Sequence, residues 1–218
     1  LKVINSIADL RELAQRRVPR SIFEYLDRGS YDELTLHRNR SDFDLLRFRQ
    51  RVLIDVSRQS LAKPILGTMA RMPLAIGPTG MAGLVHGDGE ILAARAAGSF
   101  GIPFCLSTVS ICSIEDVREA TKTPFWFQLY VMRDRGYTMA LIDRAEAAGC
   151  PVLMMTVDIP VSGLRRRDAK NGLAVPPRIT LRNALDIATK PRWVWGVLNG
   201  KRREFGNLTA AVSRTSGT

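Results

Sequence analysis

Four short apolar runs in this chain each end in polar residues: 73–80 (PLAIGPTG), 103–108 (PFCLST), 124–130 (PFWFQLY) and 151–158 (PVLMMTVD). The side chains able to do chemistry there are Pro78, Thr79 and Gly80, then Ser107, then Gln128 and Tyr130, then Thr156 and Asp158. A buried polar side chain must find a hydrogen-bond partner. One such residue is explained by an internal bond. A polar residue at each of several successive run ends points instead to a ligand lying across them.

Helix-like stretches separate the runs, which gives a β-α-β-α-β-α-β order and an α/β fold. Parallel α/β folds build their sites at the carboxyl ends of the strands. An alanine-rich helix is predicted near 90–98, where small residues let it lie close to a sheet. Ser113 with Asp116 caps the next helix. The helix over 136–148 carries Tyr137, Leu141 and Ala145 on one face and stops at Gly149. Alternation places Trp126, Gln128 and Tyr130 on one face of the third strand, with Phe125, Phe127, Leu129 and Val131 on the other. In the fourth strand Met154, Thr156 and Asp158 share a face. The apolar faces are expected to meet the helices.

Upstream, residues 1–46 read as helical. Ser6 and Asp9 have capping-box spacing, and Ile7, Leu10, Leu13 and Ala14 follow at helical intervals. Pro19 opens a second helix with Ile22, Phe23 and Leu26 as its stripe, and Gly29 is placed to stop it. By periodicity alone Tyr25 is a packing tyrosine beside that stripe. The expected organisation is a helical segment and connector over 1–70, four strands over 71–160, and a long loop over 161–218. Four strands do not close a barrel, so the chain is expected to be the N-terminal half of a larger protein.

The chain has 218 residues, 45% of them apolar, enough for a substantial core. No apolar run approaches the ~18 residues of a membrane span, and the N-terminus lacks a signal-peptide core. Cys105, Cys112 and Cys150 form no C-x-x-C pair and read as buried thiols of a reducing cytoplasm. His37 and His86 are too scattered for a metal site. A formal charge of +11 is compatible with nucleic acid, an anionic membrane or a phosphorylated ligand. No nucleic-acid motif accompanies it, and ordinary solvated surface accounts for most of it. The stretch 190–203 (KPRWVWGVLNGKRR) mixes aromatic and basic residues, a composition suited to an anionic interface as well as to a lid or surface loop.

The segments FEYLDRGSYDELTL (23–36), IGPTG (76–80), IPFCLSTVS (102–110), FWFQLYV (125–131), TVDIP (156–160) and GLRRRD (163–168) resemble the FMN-dependent L-2-hydroxy acid dehydrogenase and oxidase family. The resemblance runs over essentially the whole chain and implies the first half of a (β/α)8 TIM barrel. It implies FMN held by Pro78, Thr79, Gly80, Ser107, Gln128 and Thr156, and a small 2-hydroxy carboxylate bound by Tyr25, Tyr130 and Arg165. A planar guanidinium pairs with a carboxylate, and phenols add directional bonds. The general-base histidine is expected in the other half of the same protein, with Asp158 as the partner that holds it and favours its protonated form. The implied reaction is oxidation of L-lactate to pyruvate with quinone as acceptor; mandelate or glycolate, and oxygen, are the alternatives. A non-catalytic half-barrel, serving assembly or membrane binding, is a further alternative. Many family oxidases carry Ala where Gly80 stands, so the glycine leans toward a dehydrogenase. Homo-oligomeric assembly and a location in the cytoplasm, or peripherally on the cytoplasmic face of the inner membrane, are also expected.

Overall fold

The computed structural model describes residues 3–158, 161, 163–172 and 180–208. The chain divides into two units: Leu1–Gln59 with Val161–Trp195, and Ser60–Pro160 with Gly196–Thr218. In chain order the elements begin with helices α1 (Ile7–Arg17), α2 (Arg20–Asp27) and α3 (Leu34–Ser41) and the short hairpin β1 (Lys63–Ile65) and β2 (Thr68–Ala70). Next come α4 (Ala82–Val85), α5 (Gly89–Phe100), β3 (Cys105–Ser107), α6 (Ile114–Ala120), β4 (Trp126–Leu129), α7 (Arg135–Ala147) and β5 (Leu153–Met155). Helices α8 (Arg166–Lys170), α9 (Leu181–Ala188) and α10 (Pro191–Leu198) follow.

In the first unit, α1 starts at the capping box expected of Ser6 and Asp9: the Ser6 hydroxyl accepts from the Asp9 N–H, and the Asp9 carboxylate accepts from the Ser6 N–H at 3.0 Å. Pro19, at φ −54°, introduces α2. Gly29 does not stop that helix. Arg28 ends it in extended conformation, donating its N–H to the Glu24 carbonyl, while the Gly29 N–H is taken up by the Glu33 carboxylate at 3.1 Å. Helix α8 is tied to α2 through Asn171, whose amide donates to Glu24 at 2.7 Å.

The second unit is built on the parallel sheet β3-β4-β5, with Ser107 opposite Gln128 and Gln128 opposite Met154. The first apolar run does not form a strand. It joins the sheet through one parallel bridge, Ile76 to Phe104: the Ile76 N–H donates to the Pro103 carbonyl (2.9 Å), and the Ile76 carbonyl accepts from the Cys105 N–H (3.0 Å). Pro73 and Pro78 bracket the run; each lacks a donor and restricts the residue before it, which limits pairing to the middle. Phe125, Phe127 and Leu129 pack into a core with Leu106, Ile114, Val117 and Leu141. Trp126 and Gln128 are buried on the opposite face of β4. The fourth run departs from its expected covering: Leu153, Met155 and Val157 are 44, 59 and 80% exposed on the outer strand.

The stretch after β5 holds three helices among its described residues, where the residue pattern predicts a loop. Thr180 caps α9 by accepting from the Asn183 N–H, and Pro191 opens α10. Among the described residues no helix is long and apolar enough to cross a membrane.

Candidate active site

The parallel register sets Ser107 and Gln128 side by side at the carboxyl ends of β3 and β4. Ser107 Oγ donates to Gln128 Oε1 at 3.1 Å, and Gln128 Nε2 donates to Thr156 Oγ1 at 2.7 Å. One hydrogen-bonded chain therefore crosses the sheet top from β3 to the residue after β5. Ser107 and Gln128 are 3% and 2% exposed, whereas Thr156 is half-buried at the opening. Gln128 Oε1 also accepts from the Thr108 N–H at 3.2 Å, which fixes the amide orientation. Among the described residues, the second amide proton of Gln128 and the hydroxyl proton of Thr156 have no acceptor.

Pro78 and Thr79 are exposed, and Gly80 lies against the loop after β3. A Cβ on Gly80 would stand 2.7 Å from Val109 Cγ2, so a side chain there would oblige the Val109 side chain to shift. The Met81 N–H donates to the Val109 carbonyl at 3.0 Å and stitches the two loops together. Tyr130 is half-buried at the end of β4, and Asp158 is exposed.

Tyr25 and Arg165 come together in the first unit. The Arg165 guanidinium lies over the Tyr25 ring, 4.7 Å from its centroid, and its Nη2 donates to the Tyr25 carbonyl. Its Nε donates to Asp168, whose side chain is 9% exposed. Tyr130 belongs to the second unit.

Two site residues lie outside the sequence reading. Thr108, fully buried, donates through Oγ1 to the Gln128 carbonyl (2.5 Å) and accepts from the Tyr130 N–H (3.1 Å). It locks the backbone between the candidate cofactor and substrate residues; adjacent hydroxyls at a buried strand end were the available signal. Asp168 holds Arg165, and their three-residue spacing was visible in GLRRRD. Its other oxygen, Oδ1, is buried without a partner among the described residues.

Burial pushes the Cys105 thiol up to about 12 and that of Cys150 up to about 11, and raises Cys112 as well. None supplies a thiolate near neutrality. Among the described residues no group of three or more His, Cys, Asp or Glu could hold a metal ion.

A family model described as FMN-dependent dehydrogenase matches residues 14–216. An L-lactate dehydrogenase of Caulobacter vibrioides (strain NA1000 / CB15N) is 45% identical over 216 residues, covering 99% of this chain and 56% of the relative. The crystal structure of the monotopic membrane protein (S)-mandelate dehydrogenase matches with a TM-score of 0.87 at 36% identity, over 98% of this chain and 60% of that one. A soluble mutant of the membrane-associated (S)-mandelate dehydrogenase from Pseudomonas putida matches at 0.76 and 35% identity, over 98% and 61%. The chain thus spans 56–61% of the length of these relatives.

Proposed function

The chain belongs to the FMN-dependent dehydrogenase family and forms part of its (β/α)8 barrel, and from this premise we propose that the complete enzyme oxidises L-lactate to pyruvate and passes the electrons to quinone. The observation that carries the reading is the Ser107–Gln128–Thr156 chain across the sheet top. Its residues fit the cofactor on their chemistry: they are neutral, and they leave an amide proton and a hydroxyl proton for an uncharged heteroaromatic edge. Gly80 offers backbone where a side chain would press on Val109.

When bound, FMN supplies the two-electron acceptor for the hydrogen leaving C2 of the substrate. Ser107, Gln128 and Thr156 orient the ring, with Pro78, Thr79 and Gly80 lining it. Arg165 binds the substrate carboxylate through the guanidinium protons left free by Asp168 and the Tyr25 carbonyl. Tyr25 and Tyr130 add phenolic hydrogen bonds. Asp158 holds a histidine, supplied by the rest of the protein, that takes the hydroxyl proton.

The 45% identity to an L-lactate dehydrogenase supports lactate. The likeness to (S)-mandelate dehydrogenase favours mandelate as the second reading. We further propose peripheral contact with the cytoplasmic membrane face through α9 and α10. Leu181, Leu185, Trp195 and Leu198 are 78, 62, 73 and 49% exposed there, among Arg182, Lys190 and Arg192.

Anaerobic addition of L-lactate, mandelate and glycolate in turn to the full-length flavoprotein tests the reading. L-lactate is expected to bleach the flavin fastest, with little peroxide formed on admitting air. Absence of bleaching by L-lactate would sink it.

A further inference from the structure

The segment that returns from α10 to the sheet carries a buried polar side chain that the site described above does not use. Asn207 is 1% exposed. Its Oδ1 accepts from the Ile114 N–H at 3.0 Å and from Arg144 Nη2 at 3.1 Å. Its Nδ2 donates to Ser110 Oγ at 3.0 Å and, at a longer 3.5 Å, to the Ser107 carbonyl. The Tyr137 hydroxyl donates to the Asn207 carbonyl. Each donor and acceptor direction of the side-chain amide is thereby used.

The backbone beside it is equally committed. Gly206 N–H donates to the Ile111 carbonyl at 3.0 Å, and a Cβ on Gly206 would stand 2.6 Å from the Ser113 nitrogen. The loop gripped in this way is the one that leaves Ser107 and enters α6. From the other side Glu90 accepts from its Ile111 N–H at 2.9 Å. A buried amide with its bonds satisfied, as that of Asn207 is, holds one geometry rather than several.

We propose that Asn207 is a positioning residue for the flavin seat. It fixes the 107–114 loop so that Ser107 meets Gln128 and the polar edge faces the ring. The proposal rests on the assignment of Ser107 to that seat. Asn207 touches no reacting atom; it acts through Ser107 and Ser110. It lies about a hundred positions along the chain from the loop it holds, at sequence separations of 93 to Ile114 and 100 to Ser107.

The test is FMN binding to the full-length enzyme in three variants: Asn207→Ala, Asn207→Asp and Ser107→Ala. The readouts are the FMN dissociation constant, from flavin fluorescence on titrating apoprotein, and the visible circular dichroism of bound flavin. Asp keeps the acceptors for Ile114 and Arg144 and loses the donors to Ser110 and Ser107, so N207D is expected to fold even where N207A does not. Both Asn207 variants should weaken FMN roughly tenfold, the size of one lost buried hydrogen bond, and alter the dichroism as S107A does. Wild-type affinity and dichroism in N207D, with both changed in S107A, would overturn the proposal and leave the seat standing. Wild-type values in both would overturn seat and proposal together. A change in the Asn207 variants alone would show a route that bypasses Ser107 and would also overturn it.

Discussion

Arg165 has two of its donor positions committed within the protein: Nε to Asp168 and Nη2 to the Tyr25 carbonyl. What remains of the planar fork is aimed by those bonds and by the ring beneath it. Lysine has neither the fork nor the stacking face. Arg165→Lys in the full-length enzyme is therefore expected to lower kcat/KM for L-lactate at least ~10-fold, since a charge-assisted hydrogen bond is worth about 1.5–3 kcal/mol. The loss should fall mainly on KM; an unchanged KM would remove Arg165 from carboxylate binding. At this scale the site was partly legible. Alternation picked out Gln128 and Thr156 as chemistry at strand ends, and Ser107 stood beside them. Thr108 was missed because β3 ends at Ser107, so the turn after it, not the alternation, decides where the next side chain goes.

Helices α6 and α7 are joined by a bidentate pair, Arg144 Nε and Nη2 to the two Glu115 oxygens at 2.7 and 2.8 Å. The Arg144 bonds hold the Glu115 carboxyl down to about 2, against an ordinary value of 4.5. A carboxylate depressed in the folded state stabilises above its unfolded value and loses that contribution as pH falls. The window here runs from about 4.5 down to about 2. Glu115 is 55% exposed, so solvent screening keeps the contribution small. Glu115→Gln should flatten the acid limb of melting temperature against pH across that window; parallel curves for the two proteins would contradict the assignment. The caps of α1 and α6 were plain in the sequence because capping boxes are local chemistry. Helix α9 was not, although Thr180 marks its start, because its leucines stand exposed and no strand pattern follows to frame it. The first run reads as a strand by composition, and its two prolines reduce it to a single bridge.

Across the whole molecule the two units divide the proposed work. The second carries the flavin seat at the tops of β3, β4 and β5, closed by Asn207; the first carries Arg165 over Tyr25. The parallel order was legible from the polar run ends, and the relatives, of which this chain spans 56–61%, agree with a partial barrel. Long-range closure was not legible, since nothing local in the sequence says that residue 207 meets residue 114. The proposed function stands on the seat, and Gln128 is its middle link. Leucine at that position keeps the volume and removes each polar bond. FMN titration of full-length apoprotein carrying Gln128→Leu tests the seat directly. The predicted result is a dissociation constant raised roughly ten- to hundredfold over wild type, for one to two lost buried hydrogen bonds; a wild-type dissociation constant in a folded Gln128→Leu protein would contradict the account.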